Sequence, residues 1–525
     1  MLPDIIPETR DPSISSSRVS QEISDEAKSF EGAGGGILQV DQPFPSIGGG
    51  KPFPPQISDP EAYAVDFDGP NDPLSPYTWS TTRKFFTACI VCFGTFVASF
   101  DSALFAAGIK QASAEFNVSN EVGILGTSLY VLGFAFGPLV WAPGSELIGR
   151  RWPIIVGMFG CSIFTVASAT AKDIQTLIIC RFFSGVFGAS PLCIVPGVLV
   201  DIYSNVYRGV AITLYSLTVF TSPFAAPFIG GFVSASVLRW RWTLYLPALL
   251  GFLDTLLLLV FLEETFAPFL LVEKASRIRK QTNNWAIHAA QEKVEFDLRR
   301  TVRNYFTRPL RMLLTEPIVL LVSLYMSFIY GLVYCLLEAY PYVFEEVYGM
   351  SPGVGGLPFI GLIIGILLSL VFILSQHGDY VKKLAANDNV PVPEWRLPPV
   401  IVGAFVFTAG LFWFAWTAYT PIIHWMAPTA SGVLVGFGLL CIYLPCFNYL
   451  VDSYLHLAAS AVAANIMLRS SIAAGFPLFS RQMFANLGVQ WAGTLLGCLA
   501  AVMIPIPIAF KIYGPAIRAR SKMSA

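Results

Sequence analysis

From residue 83 onward the chain alternates between long uncharged apolar runs and short clusters of charge. VGILGTSLYVLGFAFGPLVW, from Val122 to Trp141, holds no charged residue, and neither does IIVGMFGCSIFTVASATA, from Ile154 to Ala171. Runs of about 20 apolar residues match the length of a helix that crosses a bilayer. Runs of this kind predict twelve helices. In the first half they cover 85–108, 122–142, 153–171, 176–200, 209–233 and 244–262. In the second half they cover 316–340, 354–376, 398–418, 428–450, 457–480 and 489–513. The pattern reads as an all-α polytopic membrane protein with twelve transmembrane helices.

Composition agrees with that reading. Hydrophobic residues make up 54%, charged residues only 13%, and mean hydropathy is +0.62, leaving too little polar surface to cover a soluble protein of 525 residues. The charges are segregated by position, so the net charge of −1 says nothing about partners. No basic tract of nucleic-acid type is present. All nine Cys lie in or beside apolar runs, where Cys packs as a small hydrophobe. Cys89 and Cys92 are read the same way, and no Cys pair in an outer loop suggests a disulfide framework. No cofactor and no metal-ligand set is called for. The absence of a G-x-x-x-x-G-K-[ST] loop argues against a nucleotide-driven pump. No nucleophile–base constellation suggests an enzyme, and twelve spans exclude a seven-helix receptor.

Charge then divides the chain. Residues 1–82 are rich in Gly, Pro, Ser and acids and read as a disordered tail without a cleaved signal. Residues 83–262 form a first six-helix bundle, 263–315 a charged central loop, 316–513 a second bundle, and 514–525 a C-terminal tail. Arg150, Arg151, Arg208, Lys382, Lys383 and Arg396 lie in alternate short loops, on the same side as both tails and the basic central segment. The opposite loops keep only Lys110, Lys172, Arg239, Arg241 and Arg481. The positive-inside bias therefore places both termini and the central loop in the cytosol. Val294, Leu298, Val302 and Phe306 recur at helical spacing, as in a helix lying along the inner membrane face. SELIGRR after the second span and HGDYVKK after the eighth each set an acid before a basic pair, a weak repeat in support of six plus six. Asn117-Val118-Ser119 is a glycosylation pattern in an outer loop.

Charges inside the spans are the candidate chemistry. Asp101, Arg181, Asp254, Glu338 and Arg469 would each cost roughly 2.5–3.5 kcal/mol at mid-bilayer, so each must pair, face water or sit neutral. Asp101 and Arg181 fall at one depth in the outer half, and either a proton-coupled pair or a static ion pair fits. Glu338 suits a cationic substrate, a proton or an exposed interfacial position. Arg469 suits an anionic group or a cap on the cavity. Asp254 reads as neutral or locally paired, without a transport role. Tyr130, Tyr215, Phe220, Tyr330, Tyr334 and Tyr340 suit an aromatic cavity, although membrane packing explains such residues equally well.

The turn APGSELIGRR, Ala142 to Arg151, resembles the loop G-x-L-A-D-R-x-G-R-K of the major facilitator superfamily. Gly149, Arg150 and Arg151 match, whereas Glu146 stands for Asp and Leu147 for Arg. RFFSGVFGASP is similar to the fourth-span motif R-x-x-x-G-x-G of proton-linked members, with Arg181, Gly185 and a displaced Gly188. SPFAAPFIGG is similar to the fifth-span antiporter motif, with Pro223, Pro227, Gly230 and Gly231 matching and Ser222 and Ala226 replacing glycines. NDPLSPYTWS, EETFAPFLL and AASAVAANIMLRSSIAAGFPLF extend the resemblance to fungal twelve-span drug:proton antiporters.

That resemblance implies the major facilitator fold of two six-helix bundles and export of a drug, toxin or secondary metabolite in exchange for protons. It implies a small-molecule substrate, a lipid surround, a monomer and a plasma membrane location, with a vacuolar or other internal membrane as the alternative. Glu146, Gly149, Arg150 and Arg151 would form a conformational hinge loop, with a purely topological anchor as the competing reading. An organic-acid or polyamine exporter of the same fold remains open, and so does a transporter-like nutrient sensor.

Overall fold

The computed structural model describes residues 63–69, 72–293, 298–387, 392–454 and 457–521. Among these residues, twelve helices are long and apolar enough to cross a membrane. In the first half they are α1 (Thr81–Leu104), α2 (Asn120–Leu147), α3 (Arg151–Ala169), α4 (Ile174–Ile202), α5 (Asn205–Ala235) and α6 (Trp242–Phe261). In the second they are α7 (Pro317–Pro341), α8 (Phe359–Ala386), α9 (Leu397–Thr417), α10 (Met426–Ser453), α11 (Ala458–Leu487) and α12 (Val489–Met503), whose 15 residues reach spanning length only with the helix that follows, as Val489–Ala519.

Each helix overlaps one of the twelve predicted spans, and the ends differ for identifiable reasons. Ser80 caps α1 by accepting the Arg83 N–H, and the Asp173 carboxylate caps α4 by accepting the Thr176 N–H at 2.7 Å. Both helices therefore begin before their apolar runs do. The last predicted span, 489–513, is broken at Ile504. Pro505 cannot donate to the helix ladder, and a second helix, Pro505–Arg520, starts there.

The same packing plan is built twice. In the first bundle α1 packs on α5, α2 on α4, and α3 on both α4 and α6. In the second, α7 packs on α11, α8 on α10, and α9 on both α10 and α12. The contacts between bundles obey the same offset of six, with α2 on α11 and α5 on α8. This is the arrangement expected of repeated halves. Close approach depends on small residues. A Cβ at Gly133 or Gly185 would collide with the facing backbone between α2 and α4, and Gly365 and Gly436 do the same between α8 and α10.

The chain ahead of α1 is more structured than its composition suggests. Residues 1–62 lie outside the described part, but Ala64–Val65 pairs in parallel with His288–Ala289 of the central segment. Lys274 donates to the Asp66 carbonyl at 3.0 Å and sits 3.1 Å from the Asp68 carboxylate and 3.4 Å from that of Asp72. Residues 63–69 and 72–82, part of the range predicted as a disordered tail, are thus ordered. The central segment contains the helices Ala267–Thr282 and Leu298–Thr315. The second covers three of the four apolar positions predicted for a surface helix; Val294 lies outside the described residues.

Candidate functional site

Asp101 on α1 and Arg181 on α4 form a fully buried ion pair, with Arg181 Nη1 2.8 Å from Asp101 Oδ1. The second carboxylate oxygen accepts from the Thr165 hydroxyl at 2.8 Å and the Ser184 hydroxyl at 3.3 Å. Arg181 also donates to the carbonyls of Asp101 and Gly126, at 3.0 and 3.2 Å. Its guanidinium lies 4.2 Å from the centre of the Tyr130 ring. Tyr130, a predicted cavity residue, is instead fully buried beneath Arg181, with its hydroxyl donating to the Ala98 carbonyl at 3.0 Å. The pair is saturated by partners from α1, α2, α3 and α4, which meets the cost of burying two charges.

A polar thread leads from this pair into the second bundle. Ser102 follows Asp101 on α1, and its hydroxyl lies 3.1 Å from that of Tyr334 on α7. The Tyr334 hydroxyl lies 3.4 Å from that of Tyr330, one turn earlier. Above the Tyr330 ring, at 4.4 Å from its centre, sits the guanidinium of Arg469 from α11. Tyr443 of α10 offers Arg469 a second ring at 5.2 Å. Phe220 of α5 closes the group from the first bundle, edge-on to Tyr443 at 4.5 Å and to Tyr330 at 6.1 Å. Phe220, Tyr334 and Arg469 therefore come together at the bundle interface. Tyr215 lies on α5 near this layer and donates its hydroxyl to the Leu192 carbonyl at 2.6 Å.

Glu338 belongs to a different place. It lines a cavity of about 180 Å³ at the end of the bundles marked by Lys110, together with Glu345, Glu346 and Arg481. Lys110 of the first bundle reaches Glu346 of the second at 3.2 Å, and Arg481 reaches it at 2.7 Å. Asn117 is exposed in a left-handed turn at the same end, with φ +52°.

At the opposite end, the turn between α2 and α3 is organised by a residue outside the motif. The Glu264 carboxylate accepts the backbone N–H of Arg150 at 2.8 Å and of Arg151 at 3.2 Å, capping α3. Gly149 has φ +87°, and any Cβ there would overlap the Glu264 carboxylate. Backbone conformation and the space for Glu264 both require glycine. Arg150 Nε lies 3.3 Å from Asp201 at the end of α4, and its Nη1 donates to Ser145 at 2.8 Å. Arg151 donates to the Leu259 carbonyl of α6 at 3.0 Å. The Glu146 carbonyl accepts from Gln291 of the central segment at 3.0 Å.

The related ion pair in the second half uses none of the charges of HGDYVKK, which continues α8 as partly exposed helix. It is Arg396, which precedes α9, with Asp452 at the end of α10, 3.0 Å apart. Arg150 stacks on Phe266 at 4.7 Å and Arg396 on Tyr380 at 3.8 Å.

Pro223, Pro227, Gly230 and Gly231 all lie within α5. A Cβ on Gly230 would press on Ala107 and Leu104 at the end of α1, and one on Gly231 would strike the Pro352 carbonyl of the second bundle. Asp254 on α6 is buried beside Gly94 of α1, and neither carboxylate oxygen has a hydrogen-bond partner among the described residues. Of the two readings from sequence, neutral or locally paired, the local pairing is not made among the described residues.

Residues 91–477 match the family model of the Major Facilitator Superfamily. The chain belongs to the major facilitator superfamily. Within it, the chain is 46% identical over 488 residues to "Multidrug transporter TPO1_2" of Candida glabrata, covering 93% of this chain and 84% of the relative. It is 42% identical over 492 residues to the "Major facilitator superfamily multidrug transporter FLU1" of Candida albicans, covering 93% and 80%. Its fold is similar to that of the proton:xylose symporter XylE bound to a halogenated glucose, with TM-score 0.60 at 15% identity, over 82% of this chain and 97% of that one. The protein is an integral membrane transporter.

Several residues central to this facilitator's geometry escaped the sequence reading. Glu264 lies in EETFAPFLL, a stretch that carries the resemblance but announces no capping role. Ser102 and Tyr443 gave no signal, because a hydroxyl in a span is ordinary composition until its partner is known. Asp201 was detectable as an acid at the end of an apolar run.

Proposed function

We propose that this transporter is a secondary exporter that moves a small organic molecule of drug, toxin or secondary-metabolite type outward as protons move inward. The observation that carries the reading is the Asp101–Arg181 pair, buried and joined through Ser102 and Tyr334 to the facing bundle. Protonation of Asp101 removes the negative half of the pair while Arg181 keeps its carbonyl acceptors. The freed charge shifts the preferred packing of α1 against α7, which biases the rocking of the bundles. The multidrug names of the relatives support a drug-like cargo.

In this reading both termini face the cytosol of a plasma-membrane monomer, following the bias of Lys and Arg. The Glu264, Asp201 and Arg150 contacts clamp the ends of α2, α3, α4 and α6 so that the first bundle moves as one body. Proteoliposomes holding purified protein test the proposal. An imposed pH gradient, alkaline on the cytosolic face, should drive a neutral fluorescent aromatic dye uphill and collapse faster when dye is present. Dye movement that ignores the gradient would overturn proton exchange.

A further inference from the structure

Arg469 is the opposite of Arg181. Both are buried arginines in spanning helices, at 4% and 0% exposure. Arg181 has a carboxylate, two carbonyls within 3.2 Å and a ring. Among the described residues Arg469 makes no ion pair, and its buried Nε has no hydrogen-bond partner. Its guanidinium lies, among the described residues, over the faces of Tyr330 and Tyr443. A guanidinium held this way keeps a positive charge and a buried Nε–H without an acceptor among the described residues. Burial of such a group is costly unless a partner arrives. Its position tells where the partner comes from, because Phe220 of the first bundle closes the same aromatic layer between the halves.

We infer that Arg469 is an anion subsite of the transport cavity, and that the compounds it selects are flat aromatic carboxylates. The guanidinium fork takes a carboxylate in bidentate fashion. Tyr330, Tyr443 and Phe220 supply ring edges and faces for the aromatic body. A small hydrated anion gains nothing from those rings and loses its hydration, so the site favours the amphipathic molecule. A cationic amine meets Arg469 as a like charge and is disfavoured. The Tyr330–Tyr334–Ser102 thread then places the bound anion in register with the Asp101–Arg181 pair, so occupancy and protonation act on the same bundle contact. The inference rests on the exporter reading for its transport consequence only. Each exported anion adds one charge equivalent to the cycle, so a negative-inside potential accelerates its export more than that of its ester.

The test uses purified full-length protein and three probes on one ring system: naphthoate, methyl naphthoate and naphthylmethylamine. Binding is measured in detergent without any gradient, alongside thermal melting of each variant. Wild type should bind naphthoate about tenfold or more tighter than the amine. Arg469→Gln should lose about tenfold in naphthoate affinity while methyl naphthoate changes by less than about threefold, and Arg469→Lys should restore part of the preference. The Gln variant should melt no lower than wild type without ligand, since it removes a charge that has no partner. Equal loss for acid and ester would overturn the subsite and leave Arg469 a packing residue. Unchanged naphthoate binding in a folded Gln variant would overturn it as well. Charge-selective binding with no gradient-driven transport in vesicles would uphold the subsite and overturn the exporter reading instead.

Discussion

The hydroxyls of Ser102 and Tyr334 lie 3.1 Å apart and join α1 of the first bundle to α7 of the second, one residue from the buried Asp101. An ion pair sealed within one bundle has no means of moving the other. In the proposed mechanism this contact is the route from the charge state of Asp101 to the interface between the bundles.

Tyr334→Phe removes the hydroxyl and keeps the ring. A neutral hydrogen bond contributes about 0.5–1.5 kcal/mol, so the protein should fold with a modestly lower melting temperature. The ratio of protons to substrate moved in vesicles should fall, because the link is lost while both sites remain. Simultaneous records of internal pH and substrate check this, and an unchanged ratio would remove the thread from the mechanism.

Gly149→Ala should be among the more damaging single-methyl changes in the chain. It forces a Cβ onto a residue at φ +87° and into the Glu264 carboxylate. Backbone strain of this kind costs about 1–3 kcal/mol. Glu264→Ala in the same background should recover part of the loss by clearing the space. Melting curves of the single and double variants measure the coupling directly.

Arg150→Ala combined with Arg151→Ala breaks the Asp201 contact and the bond to Leu259 without touching the aromatic layer. Substrate affinity should stay within about twofold of wild type while turnover falls by about tenfold or more. Weakened binding with unaltered turnover of bound substrate would contradict a clamp at this end of the bundle.

Outside the spans, Asp72 holds the segment before α1 against the central region. The backbone N–H groups of Asp68 and Leu74 and then the Lys274 ammonium hold its carboxyl below the ordinary aspartate range. A depressed native pKa contributes stability that is present above the unfolded value, about 3.9, and is lost as pH falls through the native value. Proteolysis within residues 63–80 should therefore accelerate only at acidic pH below that range, and Asp72→Asn should show the faster cleavage already at neutral pH. Cleavage of wild type that does not change with acidification would contradict this anchoring.

Spans were legible because each carries its own signal, an apolar run bounded by charge; the caps at Ser80 and Asp173 shifted only ends, whereas Pro505 broke the last span in its interior. The Asp101–Arg181 pair was legible because charge inside a span is rare and depth follows from residue count. Partners contributed by distant turns were not. Glu264 is more than a hundred residues from the turn it caps, and nothing local distinguishes it from Glu263. The Arg396–Asp452 pair of the second half was not legible for a related reason. HGDYVKK matches SELIGRR in composition, but α8 runs through it without a turn, and the matching charge falls to Arg396. Glu338 and Arg469, similar as isolated charges in spans, separated only once α7 and α11 were packed.

Asp101→Asn tests the central claim most directly. The substitution keeps the shape of the side chain and its acceptor oxygen toward Arg181 while removing the titratable proton. In vesicles under an imposed pH gradient, with substrate and internal pH followed together, the folded variant should bind substrate within about threefold of wild type and move it only downhill, without proton flux. Breaking a purely structural buried pair would instead destabilise by about 3–5 kcal/mol and show as lost protein or a collapsed melting temperature. Well-folded Asp101→Asn protein that still drives substrate uphill on the proton gradient would contradict the account.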